Sequence, residues 1–451
     1  IGYNAISSNS ANTGSGNNNI AIGESSMLYM EGTGNVAVGN STLYTSTTAD
    51  SNVAIGKNAL YANTTANENT AVGTSSMFYN TTGTNNTALG KDSLYSNTTA
   101  DYNTAIGWQA LYANTTGANN TAVGWRSLDA NTTGTHNVGV GQGALGANTT
   151  GTLNTAVGTF ALDANTTATN NSAFGYNALT ANTTGTQNCA FGRSALGANT
   201  TADNSSAYGY GALSVSTGPD NTAVGSYAMT NNTTGASNVA IGRDALGANT
   251  TANDNTAVGY DALGANTTGT RNTALGDSSL QANTTGSDNT GLGRETLKAN
   301  TTGARNTAVG KNALNANTTA ADNCALGYEA LIANTTGAQN VAVGSYALDA
   351  NTTGDKNTAV GKGALYSNTT ASENTAIGWD SLTANTTGYD NTAIGAQSLE
   401  ANTTGNENTG LGYRALEANT EGNENTAVGK LSLYSNTTGL GNTALGKDAL
   451  K

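Results

Sequence analysis

A glycine that returns every 17 residues is the strongest constraint on what this chain can fold into. It recurs at every seventeenth position from Gly56 to Gly209, slips by one residue to Gly225, and then runs in unbroken seventeens to Gly446. Toward the N-terminus the spacing is looser, with Gly39 following Gly23 by 16 residues and Gly23 following Gly2 by 21. These 27 marker glycines span 451 residues with no spacer or change of composition between them. The expectation is one continuous array over 1–451, irregular in register over 1–39 and 209–225, and not several domains. Because the chain starts at Ile1 and Lys451 falls inside a repeat, it reads as an internal segment of a longer polypeptide.

A unit this short cannot hold a helix pair, and its Val, Ile, Thr and Gly suit strands. Two short strands and two turns would fill 17 residues, making one coil of an all-β, parallel β-solenoid or β-roll. With rungs about 4.8 Å apart, the array would be an elongated rod on the order of 130 Å long. Separate hairpins would leave their apolar faces uncovered.

Comparing copies shows what each place in the repeat accepts. The residue before the marker is apolar, as in Val72, Leu89, Ile106, Phe174 and Val309, and reads as inward-facing. Two places earlier stands Thr307 or its substitutes Val53, Ser172, Cys189 and Cys324. Side chains alternate along a strand, so this place shares the same face. The fourth place after the marker is Leu, with Met27, Met77 and Met229 as exceptions, and reads as core. Its successor varies freely (Asp129, Gly146, Lys298, Glu400) and is outward. No other residue replaces the marker, which implies φ > 0 or close backbone approach, whereas the glycine of NTTG becomes Ala66 or Ala100 and needs only smallness. The asparagine opening each motif would stack in register as an amide ladder.

Between the Thr and Val places lies a small residue, Ala308 in the stretch NTAVG, that accepts only Gly139, Gly291 and Gly410 in its place. A water-facing row would show Asn, Asp or Lys. If Thr and Val face inward, this row faces a second chain. Ala71, Ala88, Ala105, Ala308, Ala325 and Ala342 are then candidates for the interface of a homo-oligomer, a trimer around a central axis in preference to a dimer. The competing arrangement turns Ala into the coil and leaves Thr and Val to meet the partner, which also demands an oligomer; the third is a monomer whose Ala row packs under a loop.

Little in the chain points to catalysis or to a cofactor. The only histidine, His136, sits at a variable turn, so a His-based triad or histidine-rich metal site has no partners. Acids such as Asp101, Asp220, Asp288 and Glu424 also occupy turns, with no base or nucleophile beside them, and no catalytic, cofactor-binding or metal-binding residues are expected. Sixteen Lys and Arg without a basic cluster leave no footprint for nucleic acid, and the net charge of −13 is spread thinly. No apolar run reaches the roughly 20 residues of a membrane helix, so no direct membrane insertion is expected from this segment. Cys189 and Cys324 lie eight rungs apart, about 38 Å at the usual strand spacing, far beyond disulfide reach. They read as buried substitutes for Thr, with bonding between like cysteines of neighbouring chains as the alternative.

Two surface features remain. The tripeptide NTT recurs on 21 rungs, so Asn63, Asn114 and Asn334 are formally glycosylation acceptors, although a stacked turn would need the same residues. Tyr44, Tyr61, Phe78, Tyr95 and Tyr112 repeat at one outward place on successive rungs, with Trp108 and Trp125 on the adjacent turn. This aromatic stripe would either bind partners or sugars or stiffen the rod by stacking.

The motif N-[TV]-A-[VI]-G, as in NVAVG at 35–39, NVAIG at 52–56 and NTAIG at 103–107, resembles the head repeats of YadA-like trimeric autotransporter adhesins. It is also similar to repeats in phage tail-fibre-like surface proteins. The resemblance implies a parallel β-roll, three chains, and a role in attachment at a surface, with cell-surface, matrix or carbohydrate receptors as partners. The unit here is longer, with an extra NTT-bearing arm, and no binding residue carries over. The expected role is the shaft or head of an extracellular or virion fibre and not an enzyme. A self-assembling filament of sheath or matrix is the alternative, and ice binding by regular Thr rows a third.

Overall fold

The computed structural model describes Gly2 and residues 18–451; the irregular register expected before residue 18 lies otherwise outside the described residues. The chain divides into two compact units, Ile1–Asn221 and Thr222–Lys451. The first carries twelve strands, from β1 (Ile20–Ile22) to β12 (Ser206–Tyr208), and the second fourteen, from β13 (Thr222–Val224) to β26 (Thr443–Leu445). Each strand is three residues long and pairs in parallel with the next in its unit. β17 (Thr290–Leu292), β18 (Thr307–Val309) and β19 (Cys324–Leu326) illustrate the register, with Thr290, Thr307 and Cys324 aligned and Gly291 beside Ala308 beside Ala325. The protein is a parallel β-solenoid of 17-residue rungs, and no helix among the described residues is long and apolar enough to cross a membrane.

Each rung has one strand, not two. The Leu-bearing segment, 311–316 in the rung of β18, runs in turns because Asn312 and Leu314 have left-handed φ values of +61° and +50°. Alternate left-handed residues curl the chain where a strand would extend it. The same holds from Met27 to Leu433, with φ between +46° and +55° at the Leu/Met place. A bulky residue rarely adopts this region. Here every neighbouring rung holds the same shape and the side chain fills the coil.

Backbone bonds close the curl from both sides. Ala313 N–H donates to the Gly310 carbonyl (3.3 Å) and Asn317 N–H to Leu314 (3.2 Å), while Leu314 N–H reaches Ala330 (3.0 Å) and Ala316 N–H reaches Ile332 (3.0 Å) on the next rung. Gly310 and Asn312 donate the other way, to Leu292 (2.9 Å) and Arg294 (3.1 Å). A rung therefore satisfies much of its backbone only when stacked on both sides.

The marker glycines from Gly23 to Gly446 have φ between +121° and +150°, open only to glycine. Both requirements read from the sequence apply, since a β-carbon at Gly225 would lie 2.6 Å from the Gly242 carbonyl oxygen.

The core is narrow. Every strand buries its middle residue and leaves the two flanking residues half-buried or exposed. Ala308 is 0 % exposed and sits with the buried Ala313 and Leu314 inside the coil of a single chain. Where the Ala row becomes glycine, a hydroxyl occupies the space: a β-carbon at Gly291 would meet Ser279 Oγ at 2.6 Å and Thr296 Oγ1 at 2.9 Å. The place three residues after the marker, restricted to Ala, Ser and Thr, is thus part of the core.

Two buried asparagine ladders complete the interior. Asn306 donates its N–H (3.0 Å) and its side-chain amide (3.2 Å) to Asn289 Oδ1, bonds the Ala320 carbonyl (2.8 Å), and accepts from Asn323 N–H (3.1 Å). In the second ladder Asn317 Nδ2 donates to Asn300 Oδ1 (2.8 Å) and to the Ala320 carbonyl (3.1 Å). The expected ladder is therefore joined by a parallel one built from the NTT asparagines. Near residue 221, where the units divide, Ser205 and Ser216 stand in place of the two ladder asparagines.

Candidate functional site

The inward and outward faces of the strand are the reverse of the first expectation. Ala71, Ala88, Ala105, Ala308, Ala325 and Ala342 are wholly buried within their own chain, so they cannot form an interface with another. The apolar residue before the marker is the one that faces out: Leu89 is 47 % exposed, Leu275 49 % and Leu326 46 %, with Ile55, Val224, Ile241, Ile377 and Ile394 also exposed. The physical reason is room. The turn segment packs so close behind the strand that only a methyl group fits between them.

Within each unit the strand face presents two in-register columns, Thr or Val beside Val, Ile or Leu. Cys189 and Cys324 belong to the first column and are half-buried free thiols, not core residues. Cys189 Sγ lies 3.2 Å from the Tyr208 hydroxyl, and Phe174, Phe191 and Tyr208 stack in the second column at 4.4 and 5.0 Å. Exposed members of the second column are interspersed with half-buried ones such as Val72, Ile106 and Val309. A partial signal of which face is inward was in the sequence: Gly139, Gly291 and Gly410 each lie beside a hydroxyl, Ser127, Ser279 and Ser398, although Ser76 and Ser381 stand beside Ala88 and Ala393.

The aromatic stripe lies where expected, at one place on successive rungs. Tyr44, Tyr61, Phe78, Tyr95 and Tyr112 stack with centroids 4.9–5.4 Å apart and planes within 18°. Their faces are covered by one another, so the stripe offers edges and hydroxyls to the outside and no open ring face along its length. Burial, followed by the Tyr79 hydroxyl, raises the Tyr95 phenol above its ordinary pKa. Trp108 and Trp125 form a separate stack at 6.0 Å.

The three candidate acceptors of NTT are enclosed in the folded coil. Asn63, Asn114 and Asn334 are fully buried, and their amides bond Ala66 O (3.2 Å), Gly117 O (2.9 Å) and Gly337 O (2.9 Å). A sugar on any of them would have to displace the ladder.

Turn residues play structural parts. Asp101 accepts from Thr84 N–H at 2.6 Å, and Arg271 holds Asp288 through two bonds of 2.7 and 3.0 Å, lowering that carboxyl below its ordinary range. His136 is exposed. Among the described residues no group of three or more His, Cys, Asp or Glu is placed to hold a metal ion.

No model of a known protein family matches this chain, and no curated protein matches it.

Proposed function

We propose that this chain forms the shaft or head of an extracellular surface fibre that mediates attachment, with several copies packed side by side through their strand faces. The observation that supports it is the outward Thr/Val and Val/Ile/Leu columns. Covering such a face removes apolar surface from water at about 25 cal/mol per Å², and identical parallel rungs on each copy give the repeated match that closed symmetry needs. Three chains around one axis would cover one strand face on each, in keeping with the resemblance to YadA-like heads. Receptors at a cell surface, in a matrix or on a glycan would then meet the turn flanks, which vary from rung to rung.

Sedimentation velocity tests the assembly. The native protein should run as a discrete oligomer, a trimer, at micromolar concentration, and Leu275→Lys with Leu326→Lys and Ile377→Lys should run as a monomer with unchanged circular dichroism. A native monomer, or a triple variant that still assembles, would defeat the reading.

The in-register Thr column favours one second reading, in which the same face orders water and binds ice. Thermal hysteresis by the native protein, lost in the lysine variant, would select it. A face covered by partners cannot also meet ice, so the two outcomes are separable.

A further inference from the structure

The aromatic stripe ends at Tyr112, and two rungs further on lies a notch. At the second and fifth places after the marker, neighbouring rungs carry Arg126 with Asp129 and Phe160 with Asp163, whereas the rung between them carries Gly143 and Gly146. The missing side chains open a cavity of about 420 Å³ lined by all six and by Trp125, within the usual size range for small ligands.

Three features define its chemistry. Trp125 stacks on Trp108 and is also among the residues that line the cavity. Arg126 is held by Asp129, Nε to Oδ2 at 2.6 Å, so its charge is matched. Asp163 is half-buried, and its carboxylate forms no ion pair among the described residues; burial first and Asp129 second raise its pKa, with Arg126 opposing. The cavity therefore combines an indole wall with one net negative charge lacking a partner.

We propose that this notch binds an organic ammonium group, seated against Trp125 and neutralised by Asp163. An ammonium gains from the ring face and from the carboxylate together, whereas a neutral sugar would leave the charge unmatched. The cavity at the corresponding place in the second unit makes an internal contrast. It is lined by Gln397, Glu400, Arg414 and Glu417; Arg414 Nη2 bonds Glu417 at 2.7 Å and Glu400 is left over, so the charge balance is the same and the difference is that no aromatic is among its lining residues. The site lies on the turn flank and does not depend on how many chains assemble.

Calorimetric titration with choline, with 3,3-dimethyl-1-butanol as its neutral isostere, with N-acetyl-lysine amide and with glucose tests the proposal. Choline should bind saturably and the neutral isostere at least tenfold more weakly; the lysine amide tells whether primary ammonium groups share the site. Asp163→Asn should weaken choline at least tenfold, and Gly146→Tyr, which fills the notch with the residue found at Tyr112, should abolish it. Both residues occupy the same place in the repeat, which accepts Tyr112, Asp129, Lys298 and Glu400 on other rungs, so circular dichroism should not change. Binding should also weaken on acidification as Asp163 takes up a proton, with Asp129 and Arg126 the other charged groups facing it. No saturable binding, equal binding of the isostere, preferential binding of glucose, or an unaffected Asp163→Asn variant would overturn it.

Discussion

At the residue scale, the marker glycine is the position with the least freedom. Gly310 has φ +122°, and a β-carbon there would lie 2.7 Å from the Gly327 carbonyl carbon. A substituted residue meets both a backbone conformation that costs about 1–3 kcal/mol and an immovable peptide group. Gly310→Ala should therefore destabilise its own and the following rung, read as faster amide exchange confined to residues around 293–344. Uniform exchange across the unit would show that the effect does not pass through stacking on the adjacent rung. The alternation of apolar places and the role of the glycine were legible from the copies. The left-handed Leu was not, because a period-two pattern is the same for a strand and for a curl of alternating backbone hands.

At the scale of the element, the strand has two faces with unequal tolerance. Ala308 has only the space of a methyl group, whereas Val309 points outward. Ala308→Leu should overpack the coil by about 1–3 kcal/mol or more and lower the thermal midpoint, and Val309→Leu should leave the midpoint of a dispersed chain nearly unchanged. Equal effects of the two substitutions would contradict the assigned faces. The single strand per rung also explains why NTT is so uniform. Asn317 carries the second ladder, and Thr318 Oγ1 donates to the Thr335 carbonyl at 3.1 Å, so two of its three residues perform the cross-rung bonding that a second strand would otherwise supply.

At the scale of the whole molecule, stability is a sum of rungs and their nearest-neighbour stacking. Removing residues 306–322 takes out one whole rung and brings Asn289 beneath Asn323, so the chain should fold with a slightly smaller dependence of stability on urea. Removing 306–321 leaves one residue over and offsets the ladder; a fold equally stable to the whole-rung deletion would deny that register matters. The strand-face assembly makes a separate prediction. Cys189 and Cys324, both free and on that face, should react slowly with a thiol reagent in the native oligomer and several-fold faster in the lysine variant; identical rates would place the interface elsewhere. What the repeat pattern determined by itself was the 17-residue rung, the parallel register, the glycine constraint, one asparagine ladder and the Leu core, because each leaves a mark every rung must share. Only the tertiary structure decided which side of NTAVG is interior. Thr and Val on one face and Ala on the other both lack charge, and the choice between them turns on the gap between strand and curl, a distance that no single rung's sequence carries.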